Sequence, residues 1–215
     1  MDEVLFGDPT GMLAREVRLG KARRIYPGLY TRDLKVPLEE IVRRNLWRIV
    51  AHYFPQGVIT DRSIRQLSLP PLPRRVYVFL AHPARRRRID LPGATVVARP
   101  GIGPLSEDPP FAHGARIASE SRALLENARV TRSWRGLPPS TLSQAELEEW
   151  IDELAASRGP ERLNRLRDQA RAIAPTLGAT KEFGVVDRLI GAALGTRPTR
   201  DRSRVFAALQ TGTGE

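Results

Sequence analysis

At 215 residues, 41% hydrophobic and 27% charged, the chain has a globular composition with room for one large domain or two small ones. The absence of cysteine excludes a disulfide framework and a thiolate metal centre. The acidic Met1-Asp2-Glu3 start and the lack of any apolar run near membrane length predict a soluble, cytoplasmic protein with no membrane partner. The formal net charge of +11 favours a polyanion, and it is uneven: residues 1–110 hold 19 Lys/Arg against 11 Asp/Glu, residues 111–215 hold 16 against 13.

Asp8-Pro9 reads as an N-cap and first helical position, and Gly20 as the terminator of that short helix, with Leu13 and Val17 facing inward. Gly20 to Arg32 then reads as a basic strand, a Pro27-Gly28 turn of type II and a second strand. A cationic hairpin directly after a helix has the shape of a winged-helix wing, whose usual counter-surface is double-stranded DNA. Arg15 and Arg18 on the helix, with Lys21, Arg23, Arg24 and Arg32 around the hairpin, are the candidate DNA contacts. On local chemistry alone an ordinary solvated, Arg-rich hairpin fits equally well.

Pro37 opens the most strongly periodic helix, with Leu38, Ile41, Val42, Leu46, Ile49, Val50 and Tyr53 as one apolar stripe. Val58-Ile59 predicts a short strand and Thr60–Ser63 a helix start, followed by an extended Pro70–Pro73 linker. Strands are predicted over 75–80, 87–91 and 94–99, the last two joined by a Pro92-Gly93 turn. Residues 100–114 read as loop, and Ile117-Ala118-Ser119 leads into a short helix. Ser143-Gln144-Ala145-Glu146 is a capping box opening a further helix. Pro160 starts another, Pro175 closes it, and Thr180 is predicted to cap a third.

Chemistry-bearing patterns are sparse. His52, His82 and His113 are far apart in sequence, with no metal-ligand spacing, and no serine sits in a nucleophile elbow. Gly101-Ile102-Gly103 follows a strand, but the prolines at 104, 109 and 110 prevent a helix from opening there as a phosphate loop requires. Glu39-Glu40 and Glu148-Glu149 are adjacent on helices and point apart. No catalytic residue, cofactor or metal is therefore expected. The run Arg85, Arg86, Arg87, Arg88 fits either a solvated loop or an accessory phosphate-gripping patch.

Three segments, Gly20 to Thr31, Val58 to Ser63 and Ala118 to Asn127, taken together resemble the AbiEi-type antitoxins of type IV toxin–antitoxin systems. The resemblance spans residues 1–128 and implies a transcriptional autorepressor that binds its own promoter and counters a cognate toxin. A closer resemblance is to the antitoxin-like region preceding the catalytic domain of some bacterial Fic-family proteins, extending over Glu161–Ala172 and Leu189–Arg197 to about residue 210. His82-Pro83-Ala84-Arg85 departs from the Fic His-Pro-Phe motif at its third position, so AMP transfer is not implied.

The expected fold class is α+β: an abbreviated winged helix over 1–35, a mixed α/β middle over 36–128, a helical bundle over 140–195 and a tail over 196–215. The expected function is a non-enzymatic, antitoxin-like regulator that binds double-stranded DNA and a toxin or Fic-type partner. The alternative is a non-catalytic regulatory module of a Fic-family protein with no DNA role.

Overall fold

The computed structural model describes residues 3–67, 74–133 and 136–195. The expected linker at Pro70–Pro73 and the tail at 196–215 lie outside the described residues. In chain order the elements are β1 (Leu5–Phe6), α1 (Met12–Arg18), β2 (Arg23–Tyr26), β3 (Leu29–Thr31), α2 (Leu38–Tyr53), β4 (Val58–Ile59) and α3 (Arg62–Leu67). They continue with β5 (Val76–His82), β6 (Arg87–Leu91), β7 (Ala94–Pro100), a 3-10 turn at Ala112–Gly114, β8 (Arg116–Ile117), α4 (Glu120–Asn127), α5 (Gln144–Ile173) and α6 (Thr180–Gly195). The fold is mixed α+β, with two sheets among the described residues.

The first sheet has the order β1-β3-β2 and is antiparallel throughout. Its third strand, β1, carries too little pattern to be read from sequence. Phe6 is fixed there by stacking on His52 of α2, with ring centroids 4.0 Å apart. α1 begins later than expected. Gly11 (φ 70°) precedes it, and Asp8 caps it from upstream: its carboxylate accepts from the backbone N–H groups of Leu13 (3.0 Å) and Ala14 (2.7 Å). The helix ends as expected, on Gly20 at φ 68°. Gly20 N–H donates to the Val17 carbonyl and Lys21 N–H to the Glu16 carbonyl, a Schellman closure that requires the left-handed glycine. Gly28 takes φ 78° in the two-residue turn between Tyr26 and Leu29, which face each other across the ladder.

The second sheet has the order β6-β7-β5-β4-β8. β5 and β7 are its parallel centre, in register from Val76↔Ala94 to His82↔Pro100. β5 is an apolar run covered on both faces, as such a central strand must be. β6 returns antiparallel along the outer side of β7. As an edge strand it buries Ile89 and Leu91 while leaving Arg87, Arg88 and Asp90 in solvent. α2 forms over the stripe read from the sequence: Ile41, Val42, Leu46, Ile49, Val50 and Tyr53 are all buried.

The capping box opens α5 as expected, with Ser143 Oγ accepting from Glu146 N and the Glu146 carboxylate accepting from Ser143 N. Gly159 (φ 75°) interrupts α5 and Pro160 begins its second half. Thr180 is the first residue of α6 rather than its cap. α4, both halves of α5 and α6 pack together through Leu124, Leu147, Leu163, Leu166 and Val186, and one contiguous cluster of buried apolar side chains runs from Val4 to Ile190.

Leu46 is 2% exposed at the centre of that cluster. Leu46→Asp places an unpaired carboxylate there and should cost about 4 kcal/mol or more, whereas the volume-conserving Leu46→Met should cost less than about 1.5 kcal/mol. Thermal melts followed by circular dichroism check both; a parent-like melt for Leu46→Asp would refute the central placement of α2.

Candidate nucleic-acid interface

The six cations around the first helix and hairpin divide into two groups. Arg23 is half-buried and turned inward: its Nε donates to the Asp33 carbonyl at 2.8 Å and its Nη2 to the Val36 carbonyl, tying β2 to the segment that leads into α2. Arg32 forms a two-pronged pair with Glu16 at 2.9 and 3.0 Å, and this holds the Glu16 carboxyl below its ordinary range. Asp33 is held low by the backbone N–H groups of Val36 and Lys35. Arg15, Arg18, Lys21 and Arg24 remain exposed, and the structure gives none of the four a hydrogen bond or ion pair among the described residues. Arg18 and Arg24 flank a shallow groove floored by Ala14, Val17 and Tyr30, between α1 and the hairpin. Arg24 reaches it because it pairs across the ladder with Tyr30, which puts both side chains on the face toward α1.

The 85–88 run also divides. Arg85 Nη1 donates to the Tyr53 carbonyl at 2.6 Å, and the Arg87 guanidinium lies over the Tyr53 ring, 5.4 Å from its centroid. Arg88 pairs with Asp90 at 2.8 Å. Arg86 is exposed, with no such contact among the described residues.

The three histidines are not brought together. His52 stacks on Phe6, and His113 occupies the 3-10 turn at φ 57°. His82 is buried at the end of β5, where its Nδ1 accepts from Ala84 N at 3.1 Å. Burial lowers the pKa of that imidazole and favours its neutral form. Among the described residues no cluster of His, Cys, Asp or Glu could hold a metal ion, and no helix is long and apolar enough to cross a membrane.

A second cluster lies outside every candidate site expected from the sequence. Arg99 of β7 grips Asp61 through two hydrogen bonds (2.9 and 2.8 Å) and approaches Glu126 of α4 at 3.2 Å. Arg122, fully buried one helical turn before Glu126, lies 3.4 Å from it and binds Asp108 at 2.5 Å. Arg122 also donates to the carbonyls of Ile102 (2.6 Å) and Gly103 (2.9 Å), which ties the 101–110 loop down. Thr60 donates its hydroxyl proton to Glu126. Asp61 sits at φ 54°, a non-glycine left-handed position held by its two bonds to Arg99. The one local signal was the i,i+4 spacing of Arg122 and Glu126; Asp61, Arg99 and Asp108 arrive from remote positions.

This cluster is a structural clamp. Its carboxylates are consumed by guanidiniums, and Arg122, Asp108 and Asp61 have almost no exposed side-chain surface. A shallow cleft beside it, lined by Ser119, Glu120, Ser121, Arg158 and Arg162, is likewise neutralised: both arginines pair with Glu120, at 2.5 and 3.1 Å. No protein-family model matches the chain, and comparison with curated proteins finds no relative.

Three carboxylates face two guanidiniums in the clamp, and burial pushes the Glu126 carboxyl above its ordinary value of 4.5. Folding therefore favours protonated Glu126, a stabilisation complete below pH 4.5 and lost as pH rises through the higher folded-state value. Glu126→Gln should melt like the parent near pH 4 and increasingly above it toward pH 8. A constant gap between the two across that range, measured by thermal denaturation in matched buffers, would exclude this titration.

Proposed function

We propose that this protein is a non-catalytic, antitoxin-like DNA-binding regulator. In this reading α1 and the β2–β3 hairpin meet double-stranded DNA at the protein's own promoter, and the second half engages a toxin or Fic-type enzyme. The observation that carries the DNA half is the set of four exposed cations, Arg15, Arg18, Lys21 and Arg24, with no hydrogen bond or ion pair among the described residues, on a helix and the hairpin that follows it. Sheet order β1-β3-β2, with α1 between β1 and β2, agrees with a helix feeding a three-stranded wing sheet and so supports the winged-helix reading.

The chemistry suits a duplex. Exposed guanidiniums contact phosphate without a desolvation cost already spent inside the protein, and each has the donor fork that phosphate oxygens accept. The partner half of the proposal rests on the resemblance of residues 118–127, 161–172 and 189–197 to the antitoxin-like region of Fic-family proteins. Recovery of a nucleotidyltransferase-like or Fic-type protein with the tagged chain from its native host supports that half. A toxin identified beside the gene that fails to bind the purified chain counts against it.

Binding is measured by fluorescence anisotropy on a labelled duplex of the upstream sequence over a range of salt. Each phosphate neutralised should contribute about −0.9 to the log–log salt slope, so the Arg18→Ala/Arg24→Ala double variant should flatten it by roughly two units with an unchanged melting temperature. Arg23→Ala should behave differently, costing about 1.5–3 kcal/mol of stability, because its guanidinium bonds two carbonyls of the protein itself. No binding by the parent at low salt, or equal slopes for parent and double variant, would overturn the DNA reading.

A further inference from the structure

The two basic segments, some sixty residues apart in sequence, meet at one side chain. Tyr53 ends α2, and its hydroxyl donates to the Pro27 carbonyl in the hairpin turn at 3.1 Å. Tyr26 of β2 meets its ring edge-on, with centroids 5.8 Å apart. From the other side come Arg87, whose guanidinium lies over the same ring, and Arg85, which donates to the Tyr53 carbonyl. β2 and β6, edge strands of different sheets, approach each other there.

We propose that the hairpin and the 85–88 segment form one phosphate-binding surface for the backbone of a DNA duplex, with Tyr53 as the rigid spacer that sets their separation. This rests on the DNA reading above and extends it to a second strip of contacts. Three observations carry it. Arg85 spends one of its five N–H donors on Tyr53, which leaves the others available while the side chain is held in place. Arg86, between the two arginines that Tyr53 fixes, is exposed and has no counter-charge among the described residues, and Asp90, the acid on the adjoining strand, is engaged by Arg88 and by the Thr95 hydroxyl. Arg85, Arg86, Arg87 and Arg88 are consecutive, so their like charges repel in the free protein, and a polyanion laid along them relieves that repulsion. Fixing the cations before binding reduces the side-chain entropy lost on association.

The test uses the full chain and the same labelled duplex, with three variants. Arg86→Ala should leave the melting temperature unchanged, weaken binding about five- to tenfold at 0.1 M salt and flatten the salt slope by about one unit. Tyr53→Phe keeps the ring and removes the hydroxyl that holds the turn; it should weaken binding while leaving the salt slope near that of the parent, since no cation is lost. Arg18→Ala reports on the α1 strip alone. If Arg18→Ala weakens binding but Arg86→Ala and Tyr53→Phe bind like the parent, the joined surface is overturned and the DNA reading stands. If all three match the parent, or the parent does not bind, both fail. Equal affinity for a single strand of the same sequence overturns the duplex assignment.

Discussion

The structure turns on a buried ionic clamp. Arg99 and Arg122 join the end of β4, strand β7, helix α4 and the 101–110 loop through Asp61, Glu126 and Asp108. Charges this deeply buried are tolerated only when paired and hydrogen-bonded; truncating either arginine leaves its carboxylates desolvated without a counter-charge, which typically costs about 3–5 kcal/mol. The clamp therefore acts less as a source of net stability than as a condition on geometry. A sheet with β4 displaced, or an α4 turned by one residue, would strand a charge. Two of the three segments on which the proposed antitoxin likeness rests, Val58–Ser63 and Ala118–Asn127, supply Thr60, Asp61, Arg122 and Glu126 to this clamp. Those motifs have a structural purpose whatever partner the chain takes.

α2 extends that rigid centre toward the first sheet. Its apolar stripe packs into the common core, and the last turn presents His52 and Tyr53 to β1, to the hairpin turn and to β6. The hairpin is thereby anchored at its turn by Tyr53 and at its base by Arg23. A two-stranded ribbon is only marginally stable by itself, so these attachments decide whether its cations keep fixed positions. Ordered cations make a surface that can discriminate a duplex by shape, where tethered flexible ones give charge attraction alone.

Charge count and charge availability differ in this protein. Between residues 3 and 36 there are seven Lys/Arg against four Asp/Glu, yet the useful excess depends on which guanidiniums the fold has already engaged. Arg23 and Arg32 are spent on Asp33, Val36 and Glu16, and Arg15, Arg18, Lys21 and Arg24 are not. The same holds at 85–88, where Arg88 is paired and Arg86 is open. A net charge of +11 attracts polyanions at long range, while these individual commitments decide which cations are left to meet one.

Much of what depends on neighbours three or four residues away was legible in the sequence. The α2 stripe, the capping box at Ser143, the Gly20 stop, the Pro27-Gly28 and Pro92-Gly93 turns and the restart at Pro160 all follow from periodicity, capping and backbone φ. Tertiary structure decided the rest. β1 is too short to show a pattern, and it exists because β3 offers an edge and His52 a stacking face. Asp8 caps α1 from outside its expected position because Gly11 turns the chain before the helix begins. Asp61 meets Arg99 across 38 positions and Thr60 meets Glu126 across 66, and no local spacing encodes such pairs. An arginine in sequence is only a potential contact; folding decides whether its guanidinium closes on the protein's own oxygens or is left facing solvent.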